Sequence, residues 1–154
     1  IVYEACRRGI LDRQAPVLRA HYRHKRDVMV AALAREFGGD VTWPEPRGGF
    51  FLWASIPSPV DTDAMVARAI EHGVVYVAGK AFFVNGSGGQ FIRLSFSAPP
   101  PDRIEEGIRR LGAALRETQA ANRSGSPAPV CWGERATGWS SPGSTPGTAP
   151  PSST

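Results

Sequence analysis

The residue whose type and setting most suggest chemistry is Arg93, inside the segment 91–96 (FIRLSF). Apolar residues alternate there with a period of two, which predicts a strand with Arg93 on one face and three apolar side chains on the other: Ile92, Leu94 and Phe96. The arginine head must reach water or an anion, and its planar fork matches a carboxylate through two parallel hydrogen bonds. The strand alone favours an arginine that reaches solvent or pairs with an acid such as Glu71, and leaves an anion site as the alternative.

Cysteine and histidine are sparse in this chain. Cys6 and Cys131 are the only cysteines, and no spacing among them and the three histidines is typical of a disulfide framework or a metal site. No segment approaches the length of a membrane span or the pattern of a secretory signal. We therefore expect no metal and no membrane contact, and a cytoplasmic protein.

The charge balance is basic. The formal net charge is +4, and eight basic residues fall within positions 1–35, against three acids. A nucleic-acid interface needs a basic face with aromatic or groove-reading partners. Here the charges are scattered around helical patterns, which is typical of solvated helices, so we expect no nucleic-acid partner.

Helical spacing predicts four helices. A short one spans residues 6–11, and a longer one has Pro16 in its first turn and ends at Gly38-Gly39. Asp61 is suited to cap a third helix, and Gly73 to end it. The last helix opens at residues 99–102 and carries one apolar face: Ile104, Ile108, Leu111 and Leu115.

Four apolar or alternating runs predict strands, at residues 41–43, 50–56, 74–77 and 91–96. Proline and glycine bound most of these runs, as expected at strand ends. The element order is α, α, β, β, α, β, β, α. This order predicts an α+β fold in which helices pack on a small, mainly antiparallel sheet.

The two ends of the chain differ from its middle. Over residues 123–154, 22 of 32 positions are Ser, Thr, Pro or Gly, a composition that buries too little apolar surface to fold. We therefore predict one domain over residues 1–120 and a disordered tail over 121–154. The chain opens on Ile1 within a helical pattern, and we expect a missing upstream portion.

Five segments in order carry a resemblance to a known family: 18–27 (LRAHYRHKRD), 48–53 (GGFFLW), 73–83 (GVVYVAGKAFF), 92–97 (IRLSFS) and 104–111 (IEEGIRRL). Together they resemble the C-terminal small domain of class I/II aminotransferases of pyridoxal-phosphate (PLP) fold type I. The most similar subgroup contains 2-aminoadipate and related aromatic or branched-chain aminotransferases. The resemblance spans about residues 1–117, and it reverses the interpretation that the strand alone favours for Arg93.

The resemblance implies roles for a few residues. Arg93 would grip the α-carboxylate of the substrate, and Gly49 would allow close backbone approach in the substrate pocket. Phe82 and Phe83 match an aromatic pair of the family, and we expect them to pack in the core. The family also implies PLP as cofactor, amino acids and 2-oxo acids as substrates, and a homodimer.

The residues that would hold PLP are missing from this sequence. Such enzymes bind the cofactor covalently on a lysine. Only Lys25 and Lys80 occur, and neither matches the lysine motif of the family. We therefore expect no catalytic lysine and no cofactor-binding residue in this chain, with both in a missing large domain, so that the chain alone is inactive.

Two other classes of protein remain open at this point. One is a transcription regulator that fuses a winged helix to an aminotransferase-like effector domain. The other is a free-standing α+β binding module, which would fold and bind a ligand without a partner domain. A Ser-x-x-Lys segment encoded upstream of Ile1 would favour the enzyme.

Overall fold

The chain folds as helices against a small sheet, in a computed structural model that describes residues 1–57 and 59–125. This part contains four α-helices, three strands and one 3-10 helix. In chain order they are α1 (Val2–Arg7), α2 (Ile10–Phe37), β1 (Phe51–Ser55), α3 (Thr62–Glu71), β2 (Val77–Ala78), the 3-10 helix (Gly79–Phe82), β3 (Phe91–Ser95) and α4 (Pro101–Ser124). The sheet is antiparallel throughout, which confirms the predicted α+β class.

The first two helices meet at Gly9, which adopts a left-handed conformation with φ 63°. The long helix α2 begins directly after it, so Pro16 lies within the helix and not in its first turn as predicted. A proline removes one backbone hydrogen bond, and here the helix continues past that loss. At the other end Gly38, with φ 55°, terminates α2 as the sequence predicts.

The strand that carries Arg93 is the centre of the sheet. The strand order is β1-β3-β2, so β3 is hydrogen-bonded on both sides. Its inner face is buried in the core through Ile92 and Leu94, and Phe96 follows on the same side, as the period of two predicts. Arg93 therefore lies on the outer face of the sheet.

Two of the predicted strands are shorter than expected. Around residues 41–43 only an isolated bridge forms, between Thr42 and Ser55. Pro44 and Pro46 cannot donate to a ladder, which accounts for the early stop. The run 74–77 pairs only from Val77 onward.

The third helix is fixed to the sheet by its first residues. The carboxylate of Asp61 accepts a hydrogen bond from the backbone N–H of Asp63, which confirms the predicted N-cap. The fully buried Thr62 donates its hydroxyl to the carbonyl of Phe91 at 2.9 Å and accepts a bond from the Tyr76 hydroxyl. These contacts tie the start of α3 to the start of β3.

The last helix packs against α2 through Gly112. A Cβ atom there would lie 2.6 Å from the Cγ of Glu36, so a larger residue would have to displace the Glu36 side chain. The predicted apolar face of α4 is buried as expected: Ile104, Ile108, Leu111 and Leu115.

Among the described residues, none of the helices combines the length and the apolar composition of a membrane span.

The helix α4 continues to Ser124 and ends at Gly125, which has φ 68°. Residues 121–124, which the sequence analysis assigned to the tail, are therefore helical. The remainder of the predicted tail, from residue 126 onward, lies outside the described residues.

Candidate functional site on the outer face of the sheet

Arg93 projects from the middle of the sheet into an aromatic setting. Its strand neighbours are Trp53 on β1 and Val77 on β2. The central carbon of the guanidinium lies 4.3 Å from the ring centroid of Phe51 and 4.7 Å from that of Phe82. Both contacts have cation–π geometry, in which a guanidinium lies over the negative face of a ring.

The side chain has no ionic partner of its own within residues 1–57 and 59–125. The ion pairs of that region involve other arginines, Lys80 or His72, and Glu71, the acid proposed as a structural partner, is not bonded to Arg93. Arg93 is nevertheless partly buried. A partly buried guanidinium that stacks on rings keeps its in-plane N–H donors available for an anion.

The aromatic pair Phe82 and Phe83 does not pack in the core, so this part of the sequence analysis was wrong. The two side chains are 45% and 37% exposed. The ring of Phe82 contacts Trp53 edge to face at 5.3 Å, and Phe83 stacks on Phe91 at 5.9 Å. The rings of Phe51, Trp53, Phe82 and Phe91 form a partly exposed aromatic surface around Arg93, which we call the aromatic face. Phe83 lies beside this surface and is not part of it.

Sequence reasoning missed the role of the aromatic face because its parts come from three segments. Alternation along β1 gives a signal for two members, since Leu52 and Ala54 are buried and Phe51 and Trp53 alternate with them on the outer face. No such period exists in the 3-10 helix that carries Phe82. The direction of that side chain depends on the tertiary fold.

Gly49 lies at a different place from Arg93. It has φ 82°, a left-handed conformation that favours glycine, and a Cβ there would meet nothing within 4 Å. The backbone conformation therefore favours glycine at this position. No close contact with the described residues requires it. Gly49 lines a cleft of about 550 Å³ that Arg93 does not line, between the N-terminal half of α2 and the start of β1. The other lining residues include four arginines: Arg19, Arg23, Arg26 and Arg47.

Both lysine side chains of the sequence already have hydrogen-bonding or ionic partners. Lys25 is only 6% exposed and donates to the carbonyl of Ser97 at 2.8 Å. Lys80 pairs with Asp61 at 2.7 Å and with Asp63 at 3.3 Å. The hydrogen bond to Asp61 raises the pKa of Lys80, which keeps its amine protonated and a poor nucleophile. Burial alone would raise the pKa of Asp61, but the bonds from Lys80 and from the backbone of Asp63 outweigh it and lower that pKa.

These residues do not fit PLP. A lysine that holds the cofactor needs a free amine, and both amines are already bonded to other groups of the chain. Groups of three or more potential metal ligands are likewise not found in the part of the chain that the structure describes. What the site can do is bind and orient an anion: Arg93 supplies the charge, and the aromatic face supplies apolar surface beside it.

Known proteins with similar sequences include aminotransferases. The aromatic-amino-acid aminotransferase 1 of Thermococcus litoralis is 38% identical over 71% of this chain and 26% of its own length. The 2-aminoadipate transaminase of Thermus thermophilus is 38% identical over 75% of this chain and 29% of its own length. The chain thus spans less than a third of the length of these curated relatives.

A regulator also matches. The HTH-type transcriptional regulator TauR of Rhodobacter capsulatus is 33% identical over 70% of this chain and 22% of its own length. Its identity to the chain is lower than that of the two enzymes above.

A solved structure agrees with the sequence relatives. The α-aminoadipate aminotransferase LysN of Thermus thermophilus, complexed with N-(5'-phosphopyridoxyl)-L-leucine, superimposes with a TM-score of 0.70 and is 38% identical. The match covers 77% of this chain and 30% of LysN. A family model described as aminotransferase class I and II matches residues 7–111, which include the aromatic face and Arg93. The chain therefore belongs to the class I and II aminotransferases.

Proposed function

We propose that this chain is the substrate-carboxylate-binding part of a PLP-dependent aminotransferase, which moves an amino group between an amino acid and a 2-oxo acid. The observation that carries the proposal is Arg93, which is partly buried, lies over two aromatic rings and is paired with no carboxylate of the described residues. Steady-state kinetics of an Arg93→Lys variant of the complete protein test it.

Arg93 contributes binding and orientation in this proposal. Two charge-assisted hydrogen bonds from a planar fork fix both the position and the rotation of a carboxylate. Holding a reacting molecule in one geometry contributes several kcal/mol to catalysis, because the entropy of positioning is lost before the reaction and not during it.

The remaining parts of the enzyme lie outside this chain in our proposal. PLP supplies the electron sink of amino-group transfer when bound, and the lysine that holds it belongs to a separate large domain. The relatives are more than three times as long as the segment they share with this chain, which leaves room for such a domain. The C-terminal position of the chain, a homodimer and a cytoplasmic location are parts of the same proposal.

We expect no specific PLP adduct on the isolated chain. Lys80 is held protonated by two carboxylates and Lys25 is buried, so neither amine attacks the aldehyde of PLP readily. Borohydride reduction followed by peptide mass spectrometry measures labelling at both lysines and at the N-terminal amine. Stoichiometric labelling of Lys80 alone would contradict the expectation, whereas weak labelling spread over the accessible amines would agree with it.

The second candidate function is a ligand-sensing domain of a transcription regulator, favoured by the match to TauR. In that case Arg93 would bind a carboxylate effector, and the complete protein would change its affinity for DNA instead of turning the ligand over. Measuring amino-group transfer and DNA binding on the same complete protein separates the two candidates.

A further inference from the structure

The two rings over Arg93 come from opposite sides of its strand. Phe51 belongs to β1 and pairs with Ser95, so it lies diagonally across from Arg93. Phe82 ends the 3-10 helix that follows β2, on the other edge of β3. The guanidinium is therefore contacted by two elements that the sheet itself holds apart.

This arrangement replaces the ionic partner that Arg93 lacks within the described residues. An arginine side chain is long and flexible, and a free head samples many orientations. A guanidinium stacks well on aromatic rings because it is planar and weakly hydrated. Rings that lie over the flat faces of a guanidinium leave its in-plane N–H donors free. The distances of 4.3 Å and 4.7 Å from the central carbon of the guanidinium to the centroids of Phe51 and Phe82 fit this arrangement.

We propose that Phe51 and Phe82 are positioning residues, which hold the guanidinium of Arg93 so that its N–H edge is presented to a planar carboxylate. This inference rests on the proposed function, since it concerns the same anion site. Phe82 is itself held by Trp53, whose ring meets it edge to face at 5.3 Å. Both phenylalanines are nearly half exposed, at 48% and 45%, so core packing does not explain their place.

The contact can be measured on the 154-residue chain by NMR of the Arg93 side-chain Nε–Hε group. Ring currents should displace this signal from those of solvent-exposed arginines. Phe51→Leu and Phe82→Leu should each move it back toward them, and Phe82→Tyr, which keeps the ring, should restore the displacement. Phe83→Leu is the matched control, because Phe83 stacks on Phe91 and not on Arg93. A signal that none of these substitutions moves would overturn the inference.

The functional consequence is measured on the complete protein that contains the chain. Phe82→Leu should raise KM and lower kcat/KM for an amino acid by about three- to thirty-fold, the range of one cation–π contact. Activity on the decarboxylated amine should stay the same, so the ratio of the two kcat/KM values falls. Phe82→Tyr should restore the ratio, and Phe83→Leu should leave it unchanged.

The outcomes separate this inference from the proposed function. If Arg93→Lys does not change the ratio of amino acid to amine, the carboxylate site itself is wrong. If Arg93→Lys lowers the ratio but Phe82→Leu and Phe83→Leu behave alike, the site stands and the positioning role is wrong. An equal loss on both substrates for Phe82→Leu would also overturn it, since that result indicates a contact with another part of the substrate.

Discussion

Replacing Arg93 by lysine should lower kcat/KM about ten- to a hundred-fold for the amino acid and the oxo acid alike, the loss expected for a hydrogen bond to a charged group. Lysine keeps the positive charge but has no planar fork, so it cannot bind both carboxylate oxygens in one geometry. It also lacks the planar group that lies over the rings of Phe51 and Phe82. Steady-state kinetics of the complete protein measure the loss.

The control for this experiment is a substrate without a carboxylate. The decarboxylated amine should react almost equally with the wild-type protein and the Arg93→Lys variant. Folding should barely change, because Arg93 lies on the outer face and the core side of the strand is formed by Ile92 and Leu94. A variant that is less stable yet discriminates normally between amine and amino acid would instead assign Arg93 a structural role.

Gly79→Ala should destabilise the chain by about 2–3 kcal/mol, as expected for an added methyl group in a place without room. A Cβ at this position would lie 2.6 Å from the Cβ of Phe91 and 2.8 Å from its carbonyl oxygen, and it would also meet the carbonyl of Gly88. Two of these atoms are backbone, which cannot rotate away as a side chain can. The midpoint of chemical denaturation measures the effect.

The matched substitution is Gly107→Ala, in helix α4, where an added Cβ meets nothing within 4 Å. Alanine favours a helix by up to about 1 kcal/mol over glycine, so this variant should be as stable as the wild type or more so. If Gly79→Ala and Gly107→Ala unfold at the same denaturant concentration, the prediction is wrong. The loop before β3 would then move aside without a loss of stability. Because Gly79 begins the 3-10 helix, its substitution should also displace Phe82 from Arg93.

Much of the fold follows from local sequence signals. The period of two in β3, the cap at Asp61 and the apolar face of α4 are each determined by residues close together in the chain, and the structure confirms them. Local sequence signals gave wrong predictions where contacts between distant parts of the chain determine the structure. Pro16 lies inside a helix that continues past it, and the run 41–43 has only one bridging partner.

The candidate site could be predicted from the sequence only in part. Arg93 stands out because a charged residue interrupts a strongly apolar strand. Its ring partners Phe51 and Phe82 do not stand out, because they are 31 positions apart in the sequence. In addition, Phe82 follows a strand of only two residues. Their meeting depends on the antiparallel register that places β1 and β2 on either side of β3.

The burial of the Lys25 side chain provides a way to detect local opening of this chain. The group bonds to the carbonyl of Ser97 and is covered by the junction of α2 with the segment after β3. An amine-reactive reagent can reach it only while that junction is separated, whereas the second lysine, Lys80, is accessible without any such event. With two lysines in the whole sequence, an increase in Lys25 labelling relative to Lys80 under a fixed set of conditions reports that the junction opens more often.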